Sequence, residues 1–155
     1  MNRVPRWAIL TSLAFAIVGV AIAVYLTIAH FSSSNILACP SGGTINCERV
    51  TTSAQSTFLG VPVAVLGVVW FTAMLALCLP AAWRSTKPLV HTVRAVAAIS
   101  GIAFVLWLVY AELFLIGAVC LWCTGAHVMA FGLFAIVMTT WQDTPAAAGA
   151  QGRYS

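Results

Sequence analysis

The stretch Cys120-Leu121-Trp122-Cys123 sets two thiols one helical turn apart inside an apolar run. Residues three apart share a helix face, so these sulfurs can bridge with little backbone change. The free amides of a first helical turn also favour thiolate over thiol. Two more thiols, Cys39 and Cys47, flank Pro40-Ser41-Gly42-Gly43-Thr44-Ile45-Asn46, a segment that could let them meet or part. A thiolate opens a disulfide through a mixed-disulfide intermediate, so two pairs on one side of a membrane allow an electron relay that needs no metal. A pair at the bilayer edge can meet a lipid-soluble carrier, a quinone, while a pair in an outer loop can meet a water-soluble thiol partner. The fifth cysteine, Cys78, reads as a small buried hydrophobe.

The elements that must position these thiols follow from composition. Of 155 residues 62% are hydrophobic and 6% charged, and the mean hydropathy is +1.02. A soluble domain needs a more polar surface, so the chain is expected to be an all-α membrane protein. No basic run with interleaved aromatics points to nucleic acid. About 20 apolar residues cross a bilayer, and the spans are expected near residues 7–29, 61–80, 95–117 and 119–141. The last two form one apolar run that would overshoot the bilayer about twofold as a single helix. Gly117 is the expected break, with Gly125 as the competing one. The expected architecture is a four-transmembrane-helix bundle with a long outer loop, residues 30–59, and a tail, residues 142–155.

Four spans put both termini on one side. Arg3, Arg6, Arg84, Lys87, Arg94 and Arg153 then share that side and Arg49 stands alone opposite. The positive-inside rule makes the termini and the Arg84–Arg94 loop cytoplasmic, and the expected location is the inner (plasma) membrane. The first loop and the Gly117–Cys120 turn become extracytoplasmic. Charges alone therefore place four of the five cysteines where disulfides persist. The apolar stretch before His30 is long for a signal peptide, and a polar run separates it from Cys39, which favours a retained span over a cleaved leader.

Asn46 can cap a short surface helix running from Cys47 to Phe58, with Val50, Ala54 and Phe58 as its apolar stripe. Glu112 is the carboxylate inside an expected span, which makes it a functional candidate by default. His127 follows Cys123 by one turn and could serve a quinone carbonyl as hydrogen-bond donor and proton source. Trp107, Tyr110 and Trp122 read as interface anchors or pocket walls, and His30 and His91 as water-facing residues flanking spans. Two other classes compete. A four-thiolate zinc site suffers from having one close pair and an oxidising compartment, so no metal is expected. A non-enzymatic scaffold stapled by disulfides, or a small transporter, is the other; transport is disfavoured by the scarcity of polar residues across the spans.

The combination resembles the vitamin K epoxide reductase family in its bacterial single-domain form. The matching parts are Cys39 and Cys47, Cys47-Glu48-Arg49-Val50 with Ser53 after it, Phe58-Leu59-Gly60-Val61-Pro62 through Leu66-Gly67, and Cys120-Leu121-Trp122-Cys123. Disulfide-bond formation protein B shares the four-span layout but carries its two cysteine pairs in the reverse order. The resemblance implies that Cys123 attacks the quinone and Cys120 resolves it. It implies a Cys47–Cys120 mixed disulfide, and a Cys39/Cys47 shuttle that oxidises a separate thioredoxin-like protein. Ser53 would help close the surface helix over the site, and His127 stands where vertebrate members carry tyrosine. Menaquinone or ubiquinone would be the acceptor.

Overall fold

The computed structural model describes residues 4–32, 37–39 and 42–141. Arg3, Pro40, Ser41 and the expected tail, residues 142–155 with Arg153, lie outside the described residues. Helix α1 (Arg6–Phe31) leads into the first loop, which holds α2 (Cys47–Thr51), a 3-10 turn (Ala54–Ser56) and a hairpin of β1 (Thr57–Phe58) with β2 (Val61–Pro62). Helices α3 (Val63–Leu77), α4 (Pro80–Trp83), α5 (Pro88–Tyr110) and α6 (Leu121–Thr139) follow. A π-helical turn, Ala111–Ile116, extends α5. Arg6–Phe31, Pro88–Ile116 and Leu121–Thr139 are each long and apolar enough to cross a membrane. The apolar α3 has 15 residues, about 22 Å of helix.

Helix α1 packs on α3 and α6, and α5 packs on the same two, closing a ring of four helices. Their directions alternate. The C-terminal part of α1, the start of α3, the end of α5 and the first turns of α6 line one cavity. At the far end the Cys78 thiol after α3 meets the Ser12 hydroxyl of α1, and Arg94 of α5 reaches the carbonyl of Leu77. Small residues let the helices approach. Ala16, Ala98 and Ala130 are buried in the shared core, and a Cβ on Gly101 would run into the Trp70 indole. Trp70 also ties α3 to α5, its Nε1–H donating to the Ala97 carbonyl at 3.0 Å.

The break between the last two helices lies at Gly117, whose φ of 66° is left-handed. An L side chain resists that conformation, which is why glycine ends helices here. Other boundaries differ from expectation. The second helix covers 63–77 rather than 61–80, because the hairpin takes its first residues and Pro80 starts a separate turn. The third begins at Pro88 rather than 95, with proline in its first turn.

Arg94 is therefore no loop residue but a buried one, 1% exposed. Its Nε donates to Leu77 O at 2.9 Å and its Nη2 to Ala82 O at 3.1 Å. The guanidinium also lies 3.6 Å above the Trp83 ring. Carbonyls at helix ends have spare acceptor capacity, and a cation there is favourable. His91 is likewise buried rather than facing water, with Nε2–H donating to Ser85 O at 2.8 Å.

Candidate functional site: four cysteines beside an apolar cavity

The expected helix from Cys47 to Phe58 stops at Thr51. Thr52 Oγ1 donates to Glu48 O at 2.8 Å and Ser53 Oγ to Val50 O at 2.7 Å. Such side-chain bonds compete with helix continuation, and three hydroxyl residues in a row end it. Of the expected stripe, Val50 is buried while Ala54 and Phe58 are exposed. Asn46 does cap α2, its Oδ1 accepting from Arg49 N at 2.9 Å.

The loop is anchored rather than free. Gly42 and Ile45 close a tight turn, and Ile45 pairs in parallel with Val119. Val119 N–H donates to Thr44 O at 2.9 Å, and Asn46 N–H donates to Val119 O at 3.1 Å. The residues immediately before Cys47 and Cys120 are thereby joined. Cys39 and Cys47 form a disulfide, with Cα atoms 6.1 Å apart. Cys120 and Cys123 are free thiols. Cys47 and Cys120 share one buried cluster with Leu26, Val50, Ile116 and Ala118, against which Cys39 and Cys123 pack.

Cys120 caps α6, its sulfur accepting from Cys123 N at 3.3 Å. It lies in the turn between the two apolar helices. The hydrogen bond with the Cys123 side chain lowers its pKa below the ordinary thiol value, helped by the Cys123 and Trp122 amides and opposed by burial. That is thiolate stabilisation of the kind expected at a helix start.

A second clamp holds the other end of the loop. Trp122 Nε1–H donates to Ala38 O at 3.0 Å, and Ala38 N–H donates to the Tyr25 hydroxyl at 3.0 Å. The Tyr25 and Trp122 rings pack at 4.8 Å. Trp122 read from sequence as an anchor or wall; its place inside C-x-x-C was the available signal. Tyr25 carried none, since its partner is 13 residues away through a polar loop.

Below the thiols lies a cavity of about 540 Å³. Cys123 lines it, together with Ser53, Glu112 and His127. Cys39, Cys47 and Cys120 are not among its lining residues. Most of the rest of the wall is apolar, including Leu26, Val50, Phe58, Trp70 and Phe104, with Thr51, Gln55, Ser56 and Ser100 among its polar members. His30, expected to face water, is half-buried and contributes to the wall. The π turn faces Ala111, Glu112 and Ile116 inward, and such turns recur at functional sites. The Cys120 N–H faces the Glu112 carboxyl, which lies close enough to act electrostatically on both Cys120 and Cys123.

Among the described residues no group of three or more His, Cys, Asp or Glu side chains is arranged to hold a metal ion. A largely apolar cavity with a few converging polar groups is the usual form of a small-molecule site. No curated protein matches the chain. A family model matches residues 10–138, which include every thiol and cavity residue described above. The chain belongs to the vitamin K epoxide reductase family, membrane oxidoreductases that couple thiols to quinones.

Proposed function

We propose that this protein takes electrons from a separate extracytoplasmic thioredoxin-like protein and delivers them to a membrane quinone, menaquinone or ubiquinone, generating disulfides for secreted proteins. The observation that carries the reading is the division of labour among the thiols: all four gather in one cluster, and of these Cys123 lines the apolar cavity.

The partner's dithiol reduces Cys39–Cys47. The Cys47 thiolate then attacks Cys120 of an oxidised Cys120–Cys123 pair, so the Cys47–Cys120 bond forms and Cys123 leaves as a thiolate. Cys39 attacks Cys47, restoring the loop disulfide and releasing Cys120. The Cys120/Cys123 dithiol finally gives two electrons and two protons to the quinone as its own disulfide closes, yielding a quinol. His127 donates a hydrogen bond to a quinone carbonyl, Glu112 handles a thiol proton, and Ser53 fixes the end of α2 over the cavity. Four crossings, with α3 as the short second one, keep both termini cytoplasmic and the cysteine pairs outside. Arg6, Arg84 and Lys87 belong to the bundle end remote from the thiols, in keeping with that orientation.

The test is quinone reduction by purified protein with dithiothreitol as donor. Wild type turns over, Cys39→Ala retains turnover, and Cys123→Ala abolishes it. An undiminished rate in Cys123→Ala would overturn the assignment.

A further inference from the structure

The two ends of the first loop are held by different means. On the Cys47 side the hold is backbone to backbone, through Thr44, Asn46 and Val119. On the Cys39 side, both backbone polar groups of Ala38 are taken by side chains, the carbonyl by Trp122 and the N–H by Tyr25. Those side chains come from α6 and α1 and pack on each other at 4.8 Å. Cys47 is 2% exposed, whereas Cys39 is half-buried.

We propose that Trp122 and Tyr25 form a clasp that keeps the Cys39 strand docked on the C-x-x-C helix once the loop disulfide has opened, making both positioning residues for thiol exchange. This rests on the relay proposed above and adds to it the device that returns Cys39 to Cys47. While Cys39–Cys47 is closed the covalent bond itself holds the strand. After its reduction the clasp takes over, and Cys39 remains an intramolecular nucleophile at high effective concentration. The step it serves is the attack of the Cys39 thiolate on Cys47 within the Cys47–Cys120 mixed disulfide. One S–S bond forms, one breaks, Cys120 departs as a thiolate, and no outside oxidant is required. Opening the clasp exposes Cys39 to a protein partner, so the same contacts balance partner access against resolution.

The variants are Trp122→Phe, which keeps a ring and deletes the donor, and Tyr25→Phe, which deletes the acceptor for Ala38. The primary readout does not involve quinone: the rate at which a water-soluble maleimide labels Cys39 in the fully reduced full-length protein, with Cys47 as internal control. Loss of two hydrogen bonds is expected to raise Cys39 labelling about tenfold in the double variant, with Cys47 unchanged. In turnover driven by reduced thioredoxin, the Cys47–Cys120 species should accumulate, while dithiothreitol-driven quinone reduction stays at the wild-type rate.

Unchanged Cys39 labelling in the double variant overturns the clasp. Equal acceleration at Cys39 and Cys47 also overturns it, since that is general loosening. Failure of the wild type to reduce quinone would overturn the relay alone, because the labelling ratio between the two cysteines is read without it.

Discussion

Asn46 and Val119 are joined by one backbone hydrogen bond of 3.1 Å, and it fixes the residue before Cys47 against the residue before Cys120. Loop cysteine and helix cysteine are thus neighbours by main-chain pairing, made by atoms other than their sulfurs. The pairing also explains why a loop with two adjacent glycines, Gly42 and Gly43, holds a defined position.

Replacing Asn46 with Ala should destabilise α2 by about 1 kcal/mol, the usual cost of losing an N-cap side chain, because the Arg49 amide loses its 2.9 Å acceptor. Faster hydrogen exchange at Arg49 together with less trapped Cys47–Cys120 disulfide would bear this out. An unchanged Arg49 amide would refute it.

Gly117→Ala tests backbone strain without a steric confound. A Cβ there meets nothing within 4 Å, yet φ is 66°. The expected loss is about 1 kcal/mol, read as a lower thermal midpoint. Gly117→Asn should lose less, since asparagine tolerates the left-handed region.

Gly101→Ala pushes into the Trp70 indole, which lines the cavity and bonds to Ala97. Overpacking costs typically ~1–3 kcal/mol. The quinone KM should rise in thermally surviving protein, and Trp70→Phe in the same chain should restore part of the stability.

Glu112→Gln removes the carboxylate that acts electrostatically on both C-x-x-C thiols while keeping its size. Loss of general acid–base assistance is expected to slow quinone reduction about a hundredfold. Exchange between Cys47 and Cys120, followed by mass spectrometry, should proceed as in wild type. If both slow equally, Glu112 shapes the turn and does not move a proton.

The lowered Cys120 pKa predicts a pH dependence with a definite sign. A larger thiolate fraction than an ordinary cysteine should exist at neutral pH, and it falls as the solution is acidified through the depressed value. Because the hydrogen bond from the Cys123 side chain is the main cause, Cys123→Ala should move the titration upward. Ultraviolet thiolate absorbance in a protein carrying Cys39→Ala and Cys47→Ala as well reports Cys120 and the remote Cys78. A midpoint that stays put would remove Cys123 as the cause.

Local chemistry was readable where one residue decides it. Gly117 is the expected break in an overlong apolar run, ahead of Gly125, Asn46 suits a cap, and the cysteine spacing points to exchange. Glu112 and His127 were picked out by being ionisable in an apolar stretch, and both line the cavity with Cys123. What escaped were long-range pairings. Nothing in sequence tells Trp122 to meet Ala38, 84 residues earlier. Arg94 looked like a loop charge because its partners are carbonyls of Leu77 and Ala82 rather than a carboxylate. The helix from Cys47 ended early because hydroxyl residues with adequate propensity bonded to their own backbone instead.

The shortness of α3 has a consequence for the surrounding lipid. Its 15 residues cover about 22 Å against a hydrocarbon thickness of about 30 Å. In the proposed four-crossing arrangement, with α3 as the second crossing, local bilayer thinning beside it would meet that mismatch at a fraction of a kcal/mol per ångström. Such thinning would lie along the same helix that walls the cavity with Val63, Ala64 and Gly67. The thinner hydrocarbon of the proposed arrangement therefore adjoins the wall of the cavity that Cys123 lines.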